Sequence, residues 1–228
     1  MFFNRLCSQF SLTSPAIYTF VNPYSYGVLR ESKFSFDKST GVFVDGIGLV
    51  WVLRLLGLRV SRKSFDMTSL APQVFTEAAS RGLDVCLVGS GDNEICSASG
   101  KISAQFEGLK LSIVRNGYFS KGDRETFLQQ LVIESPAVVV VGMGSPLQER
   151  FLADLWELGW RGVGFTCGGF FHQTASSKNI DYYPYWIDRL NLRWLYRMYD
   201  EPKLIRRYLI DYPKNITLLL YDFYKYKR

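Results

Sequence analysis

The feature of this chain that most constrains its fold is a repeated alternation of short apolar runs and segments with helical periodicity. The apolar runs, typical of strands buried on both faces of a parallel sheet, lie at 16–21, 41–44, 84–88, 109–114, 137–141 and 162–166. Segments of helical character lie between them at 49–56, 71–81, 124–133 and 147–158. This repetition predicts right-handed βαβ units.

The pattern therefore predicts a Rossmann-like α/β fold, with an open and mostly parallel sheet flanked by helices. Ligands of such sheets bind at the carboxyl ends of the strands. Small, flexible residues follow five of the predicted strands, at 45–46, 89–93, 116–119, 142–146 and 166–170. Each turn alone is explained by tight βα geometry. Five together favour a phosphate-bearing ligand, because glycine lets backbone N–H groups approach an anion.

Motifs and residues that the sequence lacks exclude several classes of protein or argue against them. No turn completes a GxGxxG or a Walker A sequence, so nothing indicates an NAD enzyme or a P-loop NTPase. Histidine occurs once, at His172, which excludes a site with several histidine ligands. Four cysteines without CxxC spacing predict reduced thiols in a cytosolic protein. We expect neither a transmembrane helix nor a signal peptide.

Residues 186–228 are predicted to form a helical appendage on an α/β domain that comprises residues 1–185. Residues 185–228 carry ten lysines and arginines against five acids, and 11 of the 36 aromatic residues. Helices are predicted at 186–198 and 203–212, with Pro202 near the end of the first and Pro213 stopping the second. A basic, aromatic segment suits an anionic or interfacial partner, such as a membrane surface, a diphosphate or a nucleic acid.

Asp45 stands out because it is the one acid in an apolar stretch and follows a predicted strand directly. It could cap the helix that starts near Ile47. It could also be a general base at the mouth of the sheet, held in place by that same cap. Gln148 would lie at a helix N-terminus, where its amide could bind a sugar hydroxyl or a phosphate oxygen. Glu149 beside it would complement the helix dipole.

Basic side chains of the predicted appendage form a cluster. They are Arg193, Arg197, Lys203, Arg206 and Arg207. Such charges usually form a solvated helix face, but arginines can also clamp a diphosphate through bidentate hydrogen bonds. Aromatic residues interleave with them, which favours a membrane interface over plain solvent. His172, in an aromatic turn, is a second-rank candidate, since a lone histidine there is more often structural than catalytic.

Four motifs in order together resemble the signature of the WecG/TagA/CpsF glycosyltransferases. DGIGLVW…RLLG at 45–57 resembles their DGxGxVW…RLLG, and GMGSPLQE at 142–149 resembles GxGxPKQE. NGYF at 116–119 is similar to DGYF. Residues 191–208 resemble GLEWLYRL…EP…RRY. The resemblance spans most of the chain, from the first predicted strand into the appendage.

The resemblance implies an inverting, metal-independent and cofactor-free transferase. It would move a hexose or N-acetylhexosamine, such as N-acetylmannosamine, from a UDP-sugar to a polyprenyl-diphosphate-linked saccharide. It would act peripherally at the cytoplasmic face of the bacterial plasma membrane, in capsule, exopolysaccharide or teichoic-acid synthesis, with the appendage covering the active site and helping to bring the enzyme to the membrane. The resemblance leaves open whether the protein forms a homo-oligomer, and no nucleic-acid partner is expected.

The resemblance also implies roles for individual residues. Asp45 would be the base that deprotonates the acceptor hydroxyl. The residues that would bind the donor or substrate are Asn22, Arg62, Gly89, Tyr118, Gly142, Gly144, Gln148 and Thr166. Arg197, Arg206 and Arg207 would neutralise the leaving diphosphate, in place of the metal of other glycosyltransferases.

The chain departs from the family pattern at several positions, which leaves the sugar unspecified. Thr-x-Asn reads Phe20-Val21-Asn22 here, and GGTFDF reads CGGFFH at 167–172, without an acid. The lysine of PKQE is Leu147, and an arginine usual after the EP pair appears only as Lys203. Other readings of the residues are a nucleic-acid-binding module that uses the basic tail, an NAD-type oxidoreductase and a non-catalytic partner subunit on the same fold.

Overall fold

The computed structural model describes residues 1–177, 187, 190, 192–202 and 204–228. The predicted domain boundary at 185/186 and the basic residue Lys203 lie outside these ranges. The described strands form one parallel sheet and are β1 (Ala16–Val21), β2 (Gly41–Val44), β3 (Asp84–Gly89), β4 (Lys110–Arg115), β5 (Val138–Gly142) and β6 (Val163–Thr166). Their order across the sheet is β2-β1-β6-β5-β3-β4.

This order creates a crevice at the carboxyl edge of the sheet. The chain runs from β1 outward to β2 on one side, and from β3 outward to β4 on the other, before β5 and β6 fill the centre. Register pairs Val21 with Val44 and Val141 with Thr166, so the ends of β1, β2, β5 and β6 lie side by side. Open parallel sheets bind ligands where the strand order reverses in this way.

Helices cover both faces of the sheet. They are α1 (Pro23–Glu31), α2 (Ile47–Leu55), α3 (Ala71–Ser80), α4 (Asp92–Gln105), α5 (Lys121–Glu134), α6 (Leu147–Glu157), α7 (Phe170–Ser176), α8 (Arg193–Asp200) and α9 (Tyr212–Lys227). Short 3₁₀ segments lie at Phe2–Arg5 and Phe36–Lys38, and a helical turn at Leu204–Arg206 leads into a π-helical turn at Arg207–Asp211. The fold class predicted from the sequence is thereby confirmed.

All six predicted strands are found within one residue of their predicted limits, because each is a short apolar run. Five of them are buried in the sheet, while β4 at its edge is partly exposed. Three helices escaped prediction, namely α1, α4 and α7, the last of which lies where the sequence predicted the turn after the last strand. The segment that forms α4 is rich in serine and glycine, which are weak helix formers. The segment that forms α1 begins with a proline at its first position, after an Asn22 cap that bonds the N–H groups of Tyr24 and Ser25.

Pro213 was expected to stop a helix, and this expectation is wrong. It lies in the first turn of α9, where a helix needs no N–H donor from the proline position. The π-helical turn at Arg207–Asp211 runs into α9 without a break. The two prolines of this region therefore differ in effect, because Pro202 does follow the end of α8 closely.

The last helix is part of the core. Its Leu219 and Phe223 are buried in the cluster that also contains residues of β1, β2, α1 and α2. Asp222 of α9 accepts hydrogen bonds from Arg30 Nε at 2.6 Å and from Tyr26 Oη at 2.7 Å, both on α1. The end of the chain is thus fixed to the element that follows β1, beside the crevice.

Two other findings concern the sequence predictions. The four cysteines carry free thiols, as expected. None of the helices in the described part of the chain combines the length and apolar character needed to cross a bilayer.

Candidate active site

A cavity of about 900 Å³ opens at the carboxyl ends of β1, β2 and β6. Its walls come from the turns after these strands, from the α6 N-terminus, and from the region between α8 and α9. The predicted site residues that line it are Asn22, Asp45, Arg62, Gly144, Gln148, Arg197 and Arg207. Side chains from both the predicted α/β domain and the predicted appendage therefore meet around one space.

The other predicted site residues are not among the described residues that line this cavity. Gly89 and Gly142 pair across β3 and β5, and a Cβ on Gly89 would lie 2.3 Å from the Gly142 carbonyl oxygen, so glycine is needed for strand packing. Thr166 is buried, and its hydroxyl bonds Thr19 and the Phe20 N–H. The side chains of Tyr118 and Arg206 are exposed.

Asp45 reaches the cavity because strand pairing continues up to it. Its N–H donates to the Val21 carbonyl at 2.8 Å, so its backbone still belongs to the sheet edge. The helix cap is the next residue, Gly46, which turns the chain with a φ of 94°. The predicted N-cap role of Asp45 is therefore wrong, because this left-handed turn separates its carboxylate from the first N–H groups of α2. The partly buried carboxylate lines the cavity instead.

Arg62 is brought beside Asp45 by the chain that returns from α2. A bridge pairs Val44 with Arg62, and the Lys63 N–H donates to the Val44 carbonyl at 2.9 Å. The arginine acts on the carboxylate electrostatically and favours its ionised form. Arg62 thus lines the same cavity as Asp45, and its role in binding the donor stays a prediction.

A second carboxylate, Asp66, lies close enough to interact with Asp45, and sequence analysis gave it no role. Asp66 accepts hydrogen bonds from Ser64 Oγ at 2.6 Å, from the Thr68 N–H at 2.9 Å and from Arg193 Nη1 at 2.8 Å. Burial acts to raise the pKa of Asp66, but Arg193 and these hydrogen bonds outweigh it and lower that pKa. Asp66 is therefore held in its ionised form.

The pKa of Asp45 moves in the opposite direction. Burial raises it first, and the negative charge of Asp66 raises it further, against the lowering effect of Arg62, Arg193 and Arg197. Two neighbouring carboxyl groups whose pKa values are pushed apart are typical of acid–base sites. Asp45 is the carboxyl group whose pKa is raised, so it holds a proton more readily, and Asp66 is the ionised group that pairs with Arg193.

The arginines of the C-terminal region differ in their surroundings. Arg197 lines the cavity and pairs with Glu201 at 3.1 Å. Arg207 Nη2 donates to Asn22 Oδ1 at 3.3 Å, and its guanidinium carbon lies 4.0 Å from the Tyr24 ring centroid. The buried Nε of Arg207 has no hydrogen-bond partner. Arg207 is therefore positioned by the turn after β1, with its side chain at the cavity wall.

Gln148 and Glu149 lie at the start of α6 and are both buried. Gln148 Oε1 accepts from the Gly168 N–H at 3.0 Å, and Gln148 Nε2 donates to Glu149 Oε1 at 3.0 Å. Gln148 thus joins the α6 N-terminus to the turn after β6. Its side chain lines the cavity as predicted, while its strongest hydrogen bonds are made within the protein.

Glu149 was expected only to complement the helix dipole, but it is the centre of a buried polar cluster. Its Oε1 also accepts from Thr19 Oγ1 at 3.2 Å and from Ser145 Oγ at 2.9 Å, and its Oε2 is buried without a partner. Burial raises the pKa of the Glu149 carboxyl, more than hydrogen bonds from Gln148 and Ser145 lower it. Folding therefore shifts this carboxyl towards its neutral form relative to an exposed glutamate.

Replacement of Glu149 by alanine is expected to lower the free energy of unfolding by about 3 kcal/mol, because buried hydroxyl and amide donors lose their acceptor. Glu149→Gln keeps that acceptor and should lose less. The wild-type carboxyl contributes its full stability below the unfolded-state pKa, near 4.3, and this contribution is lost as the pH rises through the raised folded-state pKa. Urea unfolding of the wild-type protein and both variants from pH 4 to 8 measures these free energies of unfolding. If the difference between Glu149→Gln and the wild type did not depend on pH, the prediction would be contradicted.

His172 and the positions that depart from the family pattern divide into two groups. Phe20 and Phe170 line the cavity, so the differences at these positions alter its walls. His172 Nδ1 lies 2.7 Å from Glu94 Oε1 on α4, and its exposed side chain is not part of the lining.

Among the described residues, no three His, Cys, Asp or Glu side chains are grouped so as to hold a metal ion.

Comparisons with known proteins match this chain to one family and to named relatives. The model of the "Glycosyl transferase WecG/TagA/CpsF family" matches residues 3–228. A Shigella boydii protein named UDP-Gal:alpha-D-GlcNAc-diphosphoundecaprenol beta-1,4-galactosyltransferase is 36% identical over 215 residues, covering 94% of this chain and 89% of that protein. A Bacillus subtilis N-acetylglucosaminyldiphosphoundecaprenol N-acetyl-beta-D-mannosaminyltransferase is 28% identical over 210 residues, covering 90% and 79%.

Proposed function

Because the chain belongs to the WecG/TagA/CpsF family of glycosyltransferases, we propose that it moves a sugar from a UDP-sugar to N-acetylglucosamine on undecaprenyl diphosphate. Membership of this family takes precedence over the oxidoreductase and nucleic-acid-binding interpretations of the sequence. The greater similarity to a galactosyltransferase than to mannosaminyltransferases favours galactose as the donor sugar. The product would be an intermediate of a cell-surface polysaccharide.

Asp45 is the proposed general base, and its position carries the proposal. The carboxylate lines the cavity at the carboxyl edge of the sheet, with a pKa raised by burial and by Asp66. A raised pKa strengthens a base that must accept a proton from a sugar hydroxyl in the transition state. The deprotonated hydroxyl then attacks the anomeric carbon of the donor from the face opposite UDP, which inverts that carbon.

Charge that develops on the leaving diphosphate would be stabilised by arginines. Arg197 and Arg207 line the same cavity as Asp45, and Arg207 has a buried donor without a partner in the protein. Fixed cations in a partly enclosed site stabilise developing negative charge effectively, since they need not reorganise during the reaction. We therefore propose transfer without a metal ion, with these side chains in the role that a divalent cation has elsewhere.

The enzyme would act as a peripheral protein at the cytoplasmic face of the plasma membrane, where its lipid-linked acceptor is anchored. The surface of α9 supports this proposal. It exposes Tyr221 and Tyr224 next to Lys225 and Lys227, and aromatic rings beside cations suit the polar boundary of an anionic bilayer. The first turns of this helix line the catalytic cavity directly, through Tyr212, Pro213 and Ile216.

The proposal is tested by incubating the purified protein with a panel of UDP-sugars and N-acetylglucosamine diphosphate linked to a long lipid. Product mass identifies the sugar, and NMR of the new glycosidic bond gives its anomeric configuration. We expect transfer from UDP-galactose, inversion at the anomeric carbon, and an unchanged rate in EDTA. Absence of transfer from every UDP-sugar would contradict the function, and loss of the rate in EDTA would contradict only the metal-free mechanism.

A further inference from the structure

Large apolar side chains surround the mouth of the cavity without being covered. Trp51, Leu190, Trp194 and Leu209 all line the cavity, and their exposed fractions are 59%, 60%, 42% and 65%. We call these four residues the apolar rim. Contiguous apolar surface that stays exposed beside a polar cavity marks a place where another apolar molecule binds.

Helix α2 extends this surface away from the cavity. Ile47, Trp51 and Leu55 follow one another at four-residue spacing, so they form one stripe with steps of about 6 Å along the helix. Ile47 and Trp51 line the cavity, while Leu55 lies one turn farther out and is 88% exposed. The stripe therefore leads from the position next to Asp45 to the outer surface.

The charge of this segment is one-sided. Residues 46–65 contain Arg54, Arg59, Arg62 and Lys63 and no acidic residue. The side chains of Arg54 and Arg59 are exposed beside the stripe. An apolar stripe flanked only by cations suits a molecule that is apolar and carries negative charge at one end.

A ladder of aromatic rings connects the interior of the cavity with the rim. The Tyr212 and Tyr208 ring centroids are 4.7 Å apart, and Tyr208 is 6.4 Å from Trp194 of the rim. Both tyrosines interact electrostatically with Asp45 and with Arg207. From the inside outward, the cavity thus presents a carboxylate, cations, aromatic rings and finally aliphatic side chains.

We propose that the apolar rim and Leu55 bind the first isoprene units of the lipid-linked acceptor. This rests on the proposed function, which puts a sugar hydroxyl at Asp45 and a diphosphate among the cations, so that the hydrocarbon leaves through the mouth. When the sugar of the acceptor lies in the cavity, its lipid must pass the apolar rim, because all four side chains of the rim line the cavity opening. A bilayer alone would not account for apolar side chains that belong to the cavity wall.

The test compares two acceptors that share N-acetylglucosamine diphosphate and differ only in the lipid, undecaprenyl or methyl, in the same detergent. For Leu55→Ser, the ratio of KM for the undecaprenyl acceptor to KM for the methyl acceptor should rise about tenfold, the factor for one lost aliphatic contact. Trp51→Ser should raise the ratio further. The matched control is Ile133→Ser on α5, since Ile133 is 83% exposed and does not line the cavity.

The outcomes separate the inference from the function on which it rests. Transfer by the wild-type protein with an unchanged KM ratio in both Leu55→Ser and Trp51→Ser would overturn the inference and leave the function standing. Failure of the wild-type protein to use either acceptor would overturn both. A third arm measures cosedimentation with vesicles of phosphatidylglycerol that contain no acceptor. If Leu55→Ser weakens this binding but leaves the KM ratio unchanged, Leu55 contacts the bilayer and not the acceptor chain, which would contradict the inference.

Discussion

Asp45→Asn is expected to lower kcat for sugar transfer by about a hundredfold to ten-thousandfold, the usual contribution of a positioned general base. Asparagine has nearly the shape of aspartate but cannot accept the hydroxyl proton. KM for the UDP-sugar should change much less, because the carboxylate acts on the acceptor in the transition state. Steady-state kinetics with saturating acceptor give both constants.

The pH dependence of the wild-type enzyme gives a second readout of the same base. Since burial and Asp66 raise the pKa of Asp45, kcat/KM should increase with pH through a midpoint above that of a free aspartate, near 3.9. Asp66→Asn removes the neighbouring negative charge and should move this midpoint to lower pH. A midpoint that does not move would show that Asp66 does not tune the base.

Thermal unfolding separates loss of the base from loss of the fold. In the wild-type protein the folded state resists ionisation of Asp45, so at neutral pH this carboxylate costs stability. Asp45→Asn removes the cost and should unfold at an equal or higher temperature than the wild type, as often happens when a functional charge is removed. An Asp45→Asn protein that is folded and transfers sugar at the wild-type rate would remove Asp45 from the mechanism.

The sequence predicted the sheet well because each strand is a separate apolar run, and in the five strands other than β4 burial on both faces leaves no periodicity to misinterpret. It also predicted which strand end would carry Asp45, since an acid directly after such a run must lie at the carboxyl edge. It did not predict the correct cap of α2. That depended on the left-handed conformation of Gly46, and a glycine in the sequence permits such a conformation without requiring it.

Residues whose role depends on distant partners were harder to predict. Asp66 acquires its role from Arg193, 127 positions later, although the Ser64-x-Asp66-x-Thr68 spacing already indicated a locally hydrogen-bonded acid. Glu149 precedes Leu152 on the buried face of α6, so the helical period indicated that it points inward. The basic cluster could not be sorted from sequence, because Arg206 and Arg207 are adjacent and only one lines the cavity.

Arg207→Ala is expected to lower kcat by about a hundredfold, the usual effect of removing one group that stabilises transition-state charge. The side chain donates to Asn22, packs on Tyr24 and keeps its buried Nε without a protein partner. Because UDP carries the charge that develops on the leaving group, the inhibition constant of UDP should increase in parallel. Inhibition by UDP and the rate of transfer are measured on the same preparation.

Three further proteins show whether Arg207 acts through its charge or through packing. Arg207→Lys keeps the charge but not the planar donor set, so it should recover only part of the lost rate. Arg206→Ala, one residue away and outside the cavity lining, should lose less than Arg207→Ala. Arg81→Ala, at the surface end of α3 where Arg81 pairs with Glu77, controls for the loss of an exposed arginine. Added guanidinium ion should partly restore transfer by Arg207→Ala, since it can occupy the vacated volume and return the positive charge beside Asn22.

If Arg207→Ala instead lowered the unfolding temperature with kcat and UDP inhibition unchanged, the side chain would fasten the C-terminal region to α1. The charge on the leaving diphosphate would then have to be stabilised by Arg197 and Arg62.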